Sequence, residues 1–224
     1  MDRLYVIQTL IKRWKFKNYL EIGVFTGHVF FRVPGYSKVA VDPDFAFGPA
    51  RKLGKSLMNP GNFFNRYFQK SSDEFFSRDA PLMYAKKPLD IALVDGMHEY
   101  SYALRDIENS LRFLSADGVV IVHDCNPTQA EHACSFEEYQ AREYSGIWNG
   151  DVWKAILYLR SQRNDLRVMV LDCDHGIGII RKGESDEKLP YTPEEIAAFT
   201  FDDFHRNREK WLDLKPPGHL YKHF

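Results

Sequence analysis

Short apolar runs alternate with stretches of helical spacing along most of this chain, and few folds accommodate that pattern. Residues 18–24 (NYLEIGV) read as a strand ending in glycine, 38–41 (KVAV) as a second that stops at Asp42-Pro43, and 63–69 as a third carried by aromatics. Residues 89–94 (LDIALV) and 118–122 (GVVIV) read as the fourth and fifth. Residues 166–171 and 177–180 complete the set, separated by Asp174-His175-Gly176, a hairpin signal. Between the strands, residues 46–57, 72–76, 100–114 and 151–163 carry helical spacing or composition. Strand–helix alternation predicts an α/β fold: a doubly wound, mostly parallel seven-stranded sheet with one antiparallel strand near the C-terminus.

Composition narrows the partners. Thirty Lys+Arg against 31 Asp+Glu leave a net charge of -1, which argues against nucleic acid as a partner. Three widely spaced cysteines, Cys125, Cys134 and Cys173, form no CxxC pair, so a reducing compartment is expected. Leu4, Ile7, Leu10, Ile11 and Trp14 fall at helical spacing and predict an amphipathic helix over residues 2–15 that covers one face of the core. Its charges interrupt what a secretion signal would need, and no apolar run approaches the roughly 18 residues of a membrane span. A cytoplasmic protein with no membrane partner is expected.

Ligands of an open α/β sheet sit outside the carboxyl ends of its strands, so the residues at those ends matter most. The first strand ends at Glu21, Gly23 and Gly27, the second at Asp42, and the third is followed by Ser72 and Asp73. The fourth ends at Asp95, Gly96 and His98, and the fifth at His123 and Asp124. One such acid is readily a helix cap, and Ser72 or Asp73 can be only that; acids at every end of one rim point to a ligand. A dinucleotide fingerprint counted from Gly23 would need glycine where Phe25 stands, which disfavours NAD. A nucleoside without a pyrophosphate does not need that close approach. S-adenosylmethionine fits the rim better: Asp42 lies 19 residues after Gly23, near the spacing at which an acid meets ribose hydroxyls, and Glu21 and Asp95 would add negative potential near the cation.

The order E-x-G-x-F-x-G, V-D-P, S-S-D-E-F, D-I-A-L-V-D-G-M-H-E-Y and G-V-V-I-V-H-D resembles the class I S-adenosylmethionine-dependent methyltransferases, in particular the group with D-G-x-H after strand four and H-D after strand five. The resemblance covers roughly residues 18–181 and implies a Rossmann-like methyltransferase domain over residues 1–182. It places Gly23 and Gly27 under the methionine part of the donor, Asp42 at the ribose, and Ser72 and Asp73 near the adenine, with Phe25 between the glycines a further donor-binding candidate. Many members have glycine where this chain has Phe25. Methyl transfer needs donor and acceptor in line and, for a hydroxyl acceptor, a group to remove the proton. Asp95, His98 and Asp124 are the candidate catalytic residues. Strand alternation predicts that Asp124 points into the site and His123 away from it.

Asp95, Asp124 and Asn126 also form an oxygen-rich set suited to Mg²⁺. Methyltransferases of catechols are similar in placing acids at these two strand ends, with asparagine directly after the second; here Cys125 holds that place and Asn126 comes one later. The alternative for both acids is local capping. Residues 125–150 read as a lid-like insertion over a small polar acceptor, with its tyrosines and Trp148 as cover, and Asp151 as the cap of the helix that follows. His132 beside Glu131 reads as a solvated loop pair. Residues 183–224 read as a helical tail packed on the domain, or as a contact in a homo-oligomer. The function expected is methyl transfer to a small-molecule or sugar acceptor at oxygen. An NAD-linked oxidoreductase and a non-catalytic nucleoside-binding module are the alternatives.

Overall fold

Helix α1 (Arg3–Trp14) begins where the Asp2 carboxylate accepts a hydrogen bond from the Tyr5 amide at 2.8 Å, and it stops at Lys15, which turns left-handed at φ 58°. Val6, Ile7 and Leu10 are its buried stripe. The computed structural model describes all residues except 36, 143–145, 186 and 224. Tyr144 of the expected lid therefore lies outside the described residues.

The described chain divides into two compact units, residues 1–96 with 106–120, and residues 97–105 with 121–223. Its strands follow the order β3-β2-β1-β4-β5-β7-β6-β8 in an eight-stranded, mostly parallel sheet. In the first unit, β1 (Asn18–Ile22) pairs in parallel with β2 (Ser37–Asp42) and with β4 (Leu89–Val94), and β2 pairs with β3 (Arg66–Gln69). Leu20 stands opposite Val39 on one side and Ala92 on the other, so the centre of the sheet is aliphatic on both neighbours. Helices α2 (Pro49–Met58), α3 (Ser72–Arg78) and α4 (Ala80–Tyr84) connect these strands. Helix α5 (Tyr100–Phe113) and strand β5 (Leu114–Val122) follow β4.

The third strand is shorter than the aromatic run that predicts it. Pro60–Phe64 forms a 3₁₀ turn, with the Asn59 side chain accepting from the Gly61 amide at 3.2 Å, and pairing begins only at Arg66. A buried lysine explains why the turn sits there. Lys38 is 1% exposed, and its ammonium donates to the carbonyls of Phe30 (3.0 Å) and Val33 (2.8 Å) and to Asn62 Oδ1 (2.6 Å). All three N–H donors are used, and burial still pulls the pKa of the group down to about 8.

In the second unit come α6 (Phe136–Gln140), α7 (Trp153–Gln162), β6 (Leu166–Leu171), β7 (Ile177–Lys182), α8 (Pro193–Ala198), α9 (Phe201–Leu212), β8 (Leu214–Lys215) and α10 (Leu220–His223). Strands β6 and β7 are antiparallel, joined by Asp174, His175 and Gly176, which all hold positive φ (47°, 61° and 89°). The residues past 182 pack within this unit: Trp153 of α7 lies 4.7 Å from Phe204 and 5.8 Å from Trp211, ring centre to ring centre. They also supply the strand beyond the expected seven. Strand β8 pairs only Leu214 and Lys215 with Val170 and Leu171 of β6, a bridge too short to leave a period in the sequence.

One glycine governs the first unit. Gly23 follows β1 at φ +80°, and a Cβ there would stand 2.0 Å from the carbonyl oxygen of Asp95. Backbone cannot yield as a side-chain tip can. Gly23→Ala should therefore lower the unfolding free energy by at least about 3 kcal/mol, measured by urea titration. An unchanged midpoint would show that the β1 and β4 ends do not meet so closely.

Candidate active site

The first turn is shaped by one carboxylate. Asp42, the last residue of β2, accepts from the amides of Val24 (2.7 Å) and Phe25 (2.8 Å) with one oxygen and from that of Asp44 (2.8 Å) with the other. These charge-assisted bonds hold Phe25 at φ 45°, a conformation that glycine adopts at no cost. The Phe25 side chain points outward, 67% exposed, so phenylalanine stands here without blocking the turn. Gly27 closes it at φ +73°, where a Cβ would lie 2.5 Å from the Phe31 ring. Ser72 and Asp73 sit in the first turn of α3, but its cap is Ser71, which accepts from the Glu74 amide at 3.2 Å.

Glu21 is buried at 2% exposure and accepts a 2.5 Å hydrogen bond from the Tyr19 hydroxyl. Burial, reinforced by the field of Asp95 and opposed by the Tyr19 bond, pushes its carboxyl up to about 8. At pH 7 it keeps its proton, so the negative potential expected from Glu21 is held back by desolvation. Asp95 follows β4, with its amide donating to the carbonyl of Ile22 at 2.9 Å and its carboxylate 3.1 Å from the Arg3 guanidinium of α1. The N-terminal helix thus contributes a charge to this strand end as well as an apolar face.

In the second unit the chain turns sharply after β5. Asp124 holds φ 61°, and this breaks the alternation on which the opposed placement of His123 and Asp124 rested. His123 Nδ1 instead lies 2.9 Å from Asp124 Oδ2, and His123 Nε2 lies 3.4 Å from Asp174. His98 Nε2 approaches Asp124 Oδ2 at 3.2 Å, and the Asn149 amide donates to Asp124 Oδ1 at 2.5 Å. His98 Nδ1 lies 2.7 Å from the carbonyl of Trp148. The result is a continuous row of Trp148 carbonyl, His98, Asp124, His123 and Asp174, in which both nitrogens of each ring face an oxygen.

Trp148 is the centre of the insertion. Its ring packs on His98 (5.0 Å between centres), Tyr139 (5.1 Å) and Phe136 (5.2 Å), and its indole N–H donates to the Cys134 carbonyl at 2.8 Å. Asn149 and Gly150 donate to the carbonyl of His132, which ties the two ends of the segment together through backbone. The His132 ring stands beside Thr128 at 3.4 Å and Glu131 at 4.0 Å. Asp151 caps a different helix from the one expected. It accepts from the Tyr100 amide at 2.6 Å and so holds the start of α5, whereas α7 begins at Trp153 with Val152 at its N-cap and no side-chain cap. Gly150 explains this: at φ +58° a Cβ would stand 1.7 Å from the carbonyl oxygen of His98, and that close approach brings Asp151 to the turn before α5.

Asn126 donates to Asp172 at 3.0 Å, while its own Oδ1 and that of Asn149 are buried without a hydrogen-bond partner. Buried amide oxygens of this kind belong to the donor set of a hard cation. Asn149 and Arg3 were not singled out as site residues by the motifs, and His123 was expected on the rim but facing away from the site. His123 adjoins Asp124 in the H-D pair and Asn149 opens the run before G-D-V-W-K, but Arg3 carries no local signal at all.

Residues 20–125 match a family model described as a methyltransferase domain. Over that stretch, just under half of its length, the chain is similar to methyltransferase domains. Its fold is shared with an O-methyltransferase of tomaymycin synthesis from Streptomyces achromogenes, solved with S-adenosylmethionine (TM-score 0.59, 14% identity, covering 81% of this chain and 79% of that one). It is shared also with a candidate caffeoyl-CoA O-methyltransferase from Staphylococcus aureus (0.57, 18%, 82% and 85%). A methyltransferase from Podospora anserina bound to S-adenosylhomocysteine is similar to the same extent (0.55, 17%, 80% and 77%). No curated protein sequence matches the chain.

Two consequences of the first turn are measurable. Asp42→Ala leaves three amides without their acceptor, so it should cost about 2–4 kcal/mol of stability beyond any loss of ligand binding. Chemical denaturation of the ligand-free variant reads this, and an unchanged stability would mean the turn holds its shape without the carboxylate. For Glu21, the folded value of about 8 lies above the ordinary 4.5, so the folded state binds the extra proton between those values. Stability from this group is complete below pH 4.5 and is lost as the pH rises towards 8. Denaturation at pH 5 and pH 7.5 should show a smaller decline in Glu21→Gln than in the parent.

Proposed function

We propose that the protein transfers a methyl group from S-adenosylmethionine to a hydroxyl oxygen of a small-molecule or sugar acceptor. The row of groups around Asp124 carries this reading. A carboxylate that receives two imidazoles and an amide is held in one orientation, as a group that takes a proton from an acceptor hydroxyl must be.

In this reading Gly23, Phe25 and Gly27 leave room for the methionine end of the donor, Asp42 reaches the ribose, and Ser72 and Asp73 border the adenine. Glu21, held neutral by burial, is placed to ionise when a cationic ligand arrives in its field, where Asp95 also acts. On the acceptor side, Trp148 and Tyr139 supply a flat apolar wall beside His98. Asp124 or His98 takes the hydroxyl proton as the oxygen attacks the methyl carbon and the carbon–sulfur bond breaks. His123 and Asp174 offer that proton a route onward. The chemistry is an in-line displacement, so catalysis rests on alignment and deprotonation.

A divalent cation such as Mg²⁺ would be held by Asp95, Asp124 and Asn126, and when bound it would draw together adjacent oxygens of the acceptor. The orphaned Oδ1 of Asn126 supports this set. The tail residues 183–224 are proposed to belong to the catalytic domain, given the packing of Phe204 and Trp211 on α7.

The test separates donor from acceptor chemistry. Asp124→Asn should bind S-adenosylhomocysteine within about twofold of the parent and lose about 10²–10⁴ in turnover, with calorimetry for the first and methyl-group transfer across a panel of phenolic and sugar acceptors for the second. Full turnover in a folded variant would remove Asp124 from the reaction. Failure of the parent to bind either adenosyl ligand would defeat the proposed function as a whole.

A further inference from the structure

A cavity of about 260 Å³ lies in the first unit at the amino ends of β1, β2 and β3, whose first residues line it together with the end of α4. The three strands run in parallel, and β1 and β2 are five and six residues long, so the cavity is roughly 15–20 Å from Asp42 and the turn after β1. Its wall is half apolar and half cationic. Val39, Phe64 and Met83 supply the first half, Arg66 and Lys87 the second, and among the described residues no acid lines it. Lys38 also borders the cavity, but its three donors are already taken by Phe30, Val33 and Asn62, so it is wall and not a ligand group. Arg66 and Lys87 differ: both are exposed, and among the described residues neither side chain has an ion pair or a hydrogen bond. The nearby carboxylate of Asp90 is engaged instead by the amides of Lys17 and Asn18, at 2.9 and 3.0 Å. Tyr84 completes the lining. It is 8% exposed, and its hydroxyl is buried without a hydrogen-bond partner. Burial pushes that hydroxyl well above its ordinary pKa, against the pull of the Arg66 charge, so it stays a proton donor. A buried donor without an acceptor is costly, and the acceptor that suits a place beside a guanidinium and an ammonium is an anionic oxygen.

We propose that this cavity is a ligand site separate from the carboxyl rim, and that it takes a small aromatic carboxylate. The carboxylate meets Arg66, Lys87 and the Tyr84 hydroxyl, while the ring lies against Phe64 and Met83. Volume sets the size: sites for drug-sized molecules begin near about 300 Å³, so this one holds a molecule of about ten non-hydrogen atoms. An aromatic body suits the Phe64 ring and stacks against a guanidinium. Inorganic phosphate would satisfy the cations but leave the apolar half of the wall unmatched. The site stands at the opposite ends of the strands from Gly23 and Asp42, so the inference does not depend on methyl transfer or on its acceptor.

Titration of the full chain with phenylacetate, read by saturation-transfer NMR, tests the site. Phenylacetate should bind with a Kd of about 1 mM, and its neutral counterpart phenylacetamide at least about ten-fold more weakly. Neither S-adenosylhomocysteine nor an equal concentration of inorganic phosphate should displace it. Arg66→Gln with Lys87→Gln should weaken phenylacetate at least about ten-fold, and Tyr84→Phe about five-fold. Tyr84→Phe keeps the ring and removes a hydroxyl that has no partner in the fold, so its thermal midpoint should not fall. A fall would show that the hydroxyl serves the fold and would overturn its role in the site. A parent that does not bind phenylacetate overturns the proposal, as does an affinity that neither variant alters. Equal binding of phenylacetamide removes the anion from the recognition. Displacement by phosphate reduces the site to a cationic patch, and displacement by S-adenosylhomocysteine moves the binding to the strands' carboxyl ends; each overturns the proposal equally.

Discussion

The carboxylate of Asp42 is the constraint on which the first unit's candidate site depends. It terminates β2 and reaches across to the chain leaving β1, where it accepts from Val24 and Phe25, then from Asp44 in its own turn. Three amides that would otherwise need water are satisfied by one anion, and the turn is fixed in the left-handed conformation before any ligand arrives. The close approach of Gly23 to Asp95 completes the same constraint from the other side. Together they set the ends of three strands, and the polar residues among them are positioned by backbone rather than by flexible side chains.

The second unit solves a similar problem with different chemistry. Asp124 takes an unfavourable backbone angle so that one carboxylate faces two imidazoles and an amide at once. Non-glycine residues hold such angles where surrounding bonds determine them, and such residues cluster at functional sites. Gly150 works at a distance in sequence but against the same segment: its close packing on His98 brings Asp151 to the N-terminus of α5. The long insertion is consequently tied to the turn after β4 by backbone, and Trp148 rests on the imidazole of His98.

Burial alters what the acids of a site do. Glu21 and Lys38 are both taken out of water, and burial moves each towards its neutral form, one up to about 8 and the other down to about 8. An acid counted from sequence as a negative charge is therefore neutral at pH 7 until a cation shares its surroundings. The lysine keeps its place through three oxygen acceptors and so organises the turn before β3.

Strand positions, helix periods and the acids at strand ends were legible in the sequence, because each depends on neighbours within a few residues. The fourth and fifth strands, the hairpin at Asp174-His175-Gly176 and the motif order from Glu21 to Asp124 are all of this kind. What the sequence could not determine came from long-range approach. Alternation predicted opposed faces for His123 and Asp124, but the strand ends at Val122 and a positive φ brings the two together. Asp151 was expected to cap its own helix and instead caps one that starts 51 residues earlier. Arg3 meets Asp95, and β8 meets β6, through contacts no local pattern encodes. The sequence by itself determined the fold class and the chemistry available at the sheet's rim, since periodicity and residue type are local. Only the tertiary structure decided which groups share a proton, which remain charged, and which apolar faces stay in water, since burial and hydrogen-bond partnership exist only once distant segments pack.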